Sequence, residues 1–107
     1  MAASVTTVDR AAVPQLAQLL GAYFHQDWVV DATTWQEVVD DYVLEVPGGA
    51  EACAAEIARV LDRGLAEDEL ARVMRRLGCS VDPAAYGQTP AQWLEAVKAR
   101  LEAAGPE

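Results

Sequence analysis

A chain of 107 residues, 52% apolar and 23% charged, has the make-up of one ordinary globular domain, and no apolar run nears the ~20 residues that span a bilayer. Seventeen Asp and Glu stand against eight Lys and Arg, a formal net charge of -9. That balance argues against a nucleic-acid binder, which needs clustered Lys and Arg for phosphate contacts, and against an anionic membrane surface; it fits attraction to a basic partner.

Twenty-one alanines, with Gly and Pro confined to a few joints, and apolar positions at helical period predict an all-α domain. Residues 1–12 carry no firm pattern and are expected to be a loosely ordered lead-in to a helical domain over 13–104. Pro14 suits a first helical position, because its missing N–H had no intrahelical partner to lose. Leu16, Leu19, Leu20 and Tyr23 then fall on one face of a first helix ending near Phe24 to Gln26.

Thr34-Trp35-Gln36-Glu37 has the spacing of a capping box and starts a second helix. Its apolar side is Trp35, Val38, Val39, Tyr42, Val43 and Val46, a β-branched run that alone reads equally as a strand; the cap and the 3-4-3 spacing decide for helix. Pro47-Gly48-Gly49 breaks the chain. A third helix carries Ala50, Cys53, Ala54, Ile57, Val60 and Leu61 inward as far as Gly64. In the fourth, Glu67, Asp68 and Glu69 open and Arg72, Arg75 and Arg76 close the helix, the order its dipole favours; Leu70, Val73, Met74 and Leu77 are its buried stripe and Gly78 its cap. Residues 79–88 read as an ordered loop. Thr89-Pro90-Ala91-Gln92 is a second capping box for a fifth helix with Trp93, Leu94, Val97 and Leu101 inward, ended by Gly105-Pro106. The expectation is one compact bundle of about five short helices.

The acidic excess is uneven. Between Arg10 and Arg59 there is no Lys or Arg, while Asp27, Asp31, Glu37, Asp40, Asp41, Glu45, Glu51 and Glu56 all lie there. Glu37, Asp41 and Glu45 follow one another at i, i+4 on the second helix, a like-charge spacing that costs about 0.2–0.5 kcal/mol per pair, and Asp40 lies beside them. The later helices do the opposite, with Asp68–Arg72, Glu95–Lys98 and Lys98–Glu102 as compensated pairs. An acidic stripe without internal cations suits a solvated face, and equally a face whose cations come from another molecule.

His25 is the only histidine, so neither a histidine-based triad nor a two-histidine metal site can form within one chain, and no metal or other cofactor is expected. Cys53 and Cys79 are 26 residues apart with no CxxC, and read as small, reduced, buried residues rather than nucleophiles. No basic segment followed by an apolar core opens the sequence, so no signal peptide is expected and the location reads as cytoplasmic. Trp28, Trp35 and Trp93 read as core anchors, with Trp28 and Tyr86 also suited to the rim of an interface.

Leu20-Gly21-Ala22-Tyr23-Phe24-His25-Gln26-Asp27-Trp28, Trp35 through Asp40 and Asp41, Leu77-Gly78-Cys79 with Pro83 and Gly87, and Trp93-Leu94 together resemble a family of small bacterial immunity proteins from contact-dependent growth inhibition systems. The resemblance covers about residues 14–102, and the Ala-Tyr-Phe-His-Gln-Asp-Trp block is its most specific part. It implies a non-catalytic cytosolic protein that binds and blocks the C-terminal toxin domain delivered by a neighbouring cell, commonly a nuclease; the sequence does not fix the oligomeric state, and a monomer is the expectation. The toxin-facing residues are then expected from the charge pattern: Glu37, Asp40, Asp41 and Glu45, helped by Asp27 and Asp31, pairing with a basic cleft. An acidic adaptor or antitoxin-like module for another basic protein shares these features, and a small metal-dependent enzyme is a weaker rival.

Overall fold

The first helix has no side chain of its own to cap it. The computed structural model of the protein, which describes residues 10–25 and 34–104, places Val13 at the N-cap and Pro14 directly after it, with no local acceptor for the first amides. The acceptor comes from 40 residues away: the Glu56 carboxylate takes the Leu16 N–H at 2.7 Å. An anion among the unpaired amides at the positive end of a helix dipole is favourable, and this one is only 6% exposed. Glu56, counted by sequence with the acidic surface, therefore belongs to the interior.

Helix α1 (Pro14–Gln18) passes into a wider π turn (Leu19–Tyr23) that closes with the Phe24 N–H on the Leu19 carbonyl at 3.1 Å. Four helices follow: α2 (Trp35–Glu45), α3 (Gly49–Asp62), α4 (Glu67–Arg76) and α5 (Pro90–Ala104). The five helices have the expected order, and no strand occurs among the described residues. The β-branched α2 is a helix because Thr34 Oγ1 accepts the Glu37 N–H at 3.3 Å and because Trp35, Val38, Val39 and Tyr42 are all buried along one side. At α5 the capping box is reciprocal, Gln92 N–H to Thr89 Oγ1 at 3.1 Å and Thr89 N–H to Gln92 Oε1 at 3.0 Å. Glu67 accepts a further α5 amide, that of Ala91, at 3.3 Å. The stretch expected as plain loop contains a short 3₁₀ turn, Pro83–Tyr86, whose first amides are capped by Asp82. Of the lead-in expected over residues 1–12, residues 10–12 form a turn and residues 1–9 lie outside the described residues, as does the Gly105-Pro106 stop.

Helix α5 is the axis of the bundle. It packs most extensively on α3 and also touches α2, α4 and the 3₁₀ turn. Trp93 on α5 is fully buried, with the Phe24 ring 5.2 Å away and the Trp35 ring 5.9 Å away, both edge-on. On the other side of the core the Tyr42 hydroxyl donates to Gln15 Oε1 at 2.7 Å, tying α2 to α1.

At one place in the bundle two backbones meet directly. A Cβ on Gly21 would stand 2.8 Å from the Leu77 carbonyl oxygen, and one on Gly78, whose φ is +97°, would stand 2.9 Å from the Gly21 Cα. The π turn thus rests directly on the C-terminal end of α4, and the Ser80 N–H completes the join by donating to the Phe24 carbonyl at 2.8 Å.

Two substitutions test this account by urea unfolding. Gly21→Ala, which ordinarily gains about 1 kcal/mol in a helix, is expected to destabilise here because the new methyl group meets backbone. Glu56→Ala should cost about 1–3 kcal/mol by orphaning a buried amide, and Glu56→Gln, which keeps an acceptor, should cost less.

Candidate partner-binding face

Four of the six acids assigned to partner binding lie on α2; Asp27 and Asp31, with Trp28, fall outside the described residues. With Trp35, Val38, Val39 and Tyr42 turned to the core, helical spacing puts Glu37, Asp41 and Glu45 on the exposed side, with Asp40 at its half-buried edge.

The expectation that these acids lack any internal partner is overturned: Glu37 has an interaction within the chain, and Asp40 and Glu45 have strong ones. Arg100 of α5 grips Asp40 with both ends of its fork, Nε to Oδ1 at 3.0 Å and Nη2 to Oδ2 at 2.7 Å. The hydrogen bonds to Asp40 raise the Arg100 pKa further. The missing cation was thus sixty residues away on an adjacent helix, where local i, i+4 reasoning does not reach. Glu45 accepts a hydrogen bond from the Tyr23 hydroxyl at 2.6 Å. That bond, then burial, pushes the Tyr23 phenol up to about 12, so it stays a donor at neutral pH. A T-shaped contact with Tyr42, 5.5 Å between ring centres, holds Tyr23 in place.

What remains outermost on α2 is Glu37, Asp41 and a residue that sequence reasoning passed over. Leu44 is 80% exposed, three residues from Asp41 and adjacent to Glu45. Its neighbours Val43 and Val46 are partly buried against the core, and in a run so rich in apolar residues the one pointing outward has no distinguishing signal except its helical phase. Asp41 makes no hydrogen bond or ion pair among the described residues. The face therefore consists of carboxylates around one aliphatic side chain. It offers electrostatic attraction and a small apolar contact.

The thiols lie elsewhere and are inert. Burial pushes Cys53 up to about 12, with the nearby Glu56 charge adding to it, and pushes Cys79 up to about 11. Among the described residues no three His, Cys, Asp or Glu converge as metal ligands, and no helix is long and apolar enough to cross a membrane. Of the later charge pairs, Asp68–Arg72 forms at 3.8 Å, and Lys98 takes Glu102 at 2.9 Å.

A family model described as CdiI immunity protein matches residues 12–101. The chain belongs to the CdiI immunity protein family. No curated protein and no solved structure matches it. CdiI immunity proteins are non-enzymatic inhibitors that neutralise a toxin of a contact-dependent growth inhibition system, so the partner of this CdiI protein is its cognate toxin domain. The residues that carry the resemblance are mostly internal: Gly21 against Leu77 and Gly78, and Phe24 and Trp35 against Trp93. These residues build the bundle, and the resemblance also takes in the exposed Glu37 and Asp41 of α2.

Both thiols should resist iodoacetamide at pH 8 in the native protein and react once it is unfolded. Because each folded thiol holds its proton above the unfolded value near 9, the unfolded chain binds fewer protons between pH 9 and 11, and stability must fall as pH rises through that window. The slope is up to about 1.4 kcal/mol per pH unit for each thiol, measurable by urea unfolding at stepped pH.

Proposed function

We propose that this CdiI protein acts in the cytoplasm as a monomer and blocks a nuclease toxin domain by competitive occlusion, laying the outer face of α2 over the basic channel that would receive nucleic acid. The observation that supports this reading is the exposed carboxylate face of α2, with Asp41 and Glu37 outermost and Leu44 one turn beyond Asp41, on a chain whose family neutralises toxins. Carboxylates spaced along a helix imitate a run of phosphates, and Lys and Arg of a nuclease channel accept either. Leu44 would supply the apolar contact at the centre of the patch. Asp27 and Asp31, just before α2 in sequence, would extend the acidic surface.

The internal pairing refines the roles. Asp40 and Glu45 set the position of α2 through Arg100 and Tyr23, so their charges are partly spoken for before any partner arrives. Asp41 and Glu37 are the steering residues. Reversing Asp40 would confound the test, since it also breaks the contact with α5.

Steering acts on the association rate and is screened by salt, which separates it from contact loss. Expressed alone, the toxin domain encoded by the neighbouring gene should kill, and with this protein it should not. In stopped-flow association with that domain, Glu37→Lys with Asp41→Lys is expected to slow binding on the order of tenfold at low ionic strength, the difference shrinking toward 1 M salt. Arg100→Ala, which unpairs Asp40, should speed it. Unchanged rates in both would remove α2 from the interface.

A further inference from the structure

The acidic face of α2 is not the only surface built to receive something. Where α3 lies along α5, two hollows of about 530 and 490 Å³ join through shared walls at Ala58, Lys98 and Glu102. Their floor is small and apolar: Ala54, Ala55, Ala58 and Leu61 on α3, Ala99 and Leu101 on α5. From Glu51 to Asp62 the α3 wall spans twelve residues, about 16 Å at a rise of 1.5 Å per residue, or three helical turns.

Two properties of this trough restrict its occupant. Alanine along the floor allows another helix to approach at the short end of the usual 8–10 Å interaxial range, where a chain of larger side chains would hold it off. The rim is acidic: Glu51, Asp62, Glu95 and Glu102 stand against one cation, Lys98, which is already bound to Glu102 at 2.9 Å. Among the described residues Glu51, Asp62 and Glu95 have no ion pair. A second copy of this chain would bring a net charge of -9 to that rim and be repelled. A basic amphipathic helix satisfies both conditions, with small or aliphatic residues at i, i+3, i+4 and i+7 for the floor and Lys or Arg on its flanks for the rim.

We infer that the α3–α5 trough is the docking site for a basic amphipathic helix of the cognate toxin domain. The inference rests on the toxin-binding reading above and adds a surface distinct from α2. The two surfaces divide the work: the α2 charges govern how fast the complex forms, and the helix seated in the trough governs how long it lasts.

The test uses the full-length protein and the purified toxin domain encoded by the neighbouring gene, with binding kinetics followed on a surface sensor. Ala55→Arg puts a long side chain into the trough from an exposed position, Glu95→Lys reverses its rim, and Ala58→Trp fills its middle. Ala52→Arg, exposed on α3 but not lining the trough, is the control for helix and charge. Circular dichroism and thermal unfolding establish which variants are folded; if Ala58→Trp is not, the two exposed substitutions decide. The expected result is at least a tenfold loss of affinity for Ala55→Arg and Glu95→Lys, carried mainly by faster dissociation, with Ala52→Arg close to wild type. Affinity within twofold of wild type for both, or an equal loss in Ala52→Arg, would overturn the inference while leaving the immunity reading intact. Failure of the wild-type protein to bind the toxin domain would overturn the reading on which it rests. A change in the sedimentation of Ala55→Arg alone would mean that the trough serves self-association, and would also overturn it.

Discussion

The bundle depends on a single place where two backbones touch. Helix α1 has five α-helical residues and one π turn, far below the ~12–15 residues at which an isolated helix becomes even marginal, so it exists only through what it rests on. It is held at its start by the Glu56 carboxylate, in its middle by the seat of Gly21 on Leu77 and Gly78, and at its end by the Ser80 amide on Phe24. A methyl group at either glycine would lift the turn away. From that seat Phe24 reaches Trp93 and Tyr23 reaches Glu45, so an uncharged backbone contact helps to place the acidic helix alongside the Asp40–Arg100 pair.

Nine of the seventeen Asp and Glu fall into three groups with different consequences. Glu56 and Glu67 accept helix amides from other elements and serve the fold. Asp40 and Glu45 bond to α5 and to the end of α1. The Asp40–Arg100 pair is solvent-accessible, so it contributes little to stability, but its forked geometry fixes the register of α2 against α5. The remainder, Glu37 and Asp41 on α2 and Glu51, Asp62 and Glu95 along the trough, are oriented outward on surfaces that also present apolar groups. It is this last population, rather than the total, that bears on partner choice.

Helix order, the Thr34 cap and the Thr89–Gln92 capping box were legible in the sequence because each cap is written within four consecutive residues. The β-branched α2 was decided by one threonine. Three things were not legible, and all three are long-range. Arg100 and Asp40 are sixty residues apart, Glu56 caps a helix forty residues away, and the trough exists only once α3 and α5 are side by side. Leu44 escaped for the opposite reason, being one apolar residue among many whose outward phase carries no local mark. The family resemblance was readable for a related reason: most of its residues, such as Gly21, Phe24, Trp35, Leu77 and Trp93, are core and joint positions, which sequence patterns describe well.

The central claim, that the protein occupies the channel through which nucleic acid would enter its toxin, is tested most directly by inhibition kinetics. Steady-state cleavage by the purified toxin domain would be followed at a fixed concentration of this protein and rising concentrations of nucleic-acid substrate. Competitive occlusion predicts that the apparent inhibition constant rises in proportion to substrate, with the maximal rate recovered at saturation. Inhibition that lowers the maximal rate and does not yield to substrate would contradict it.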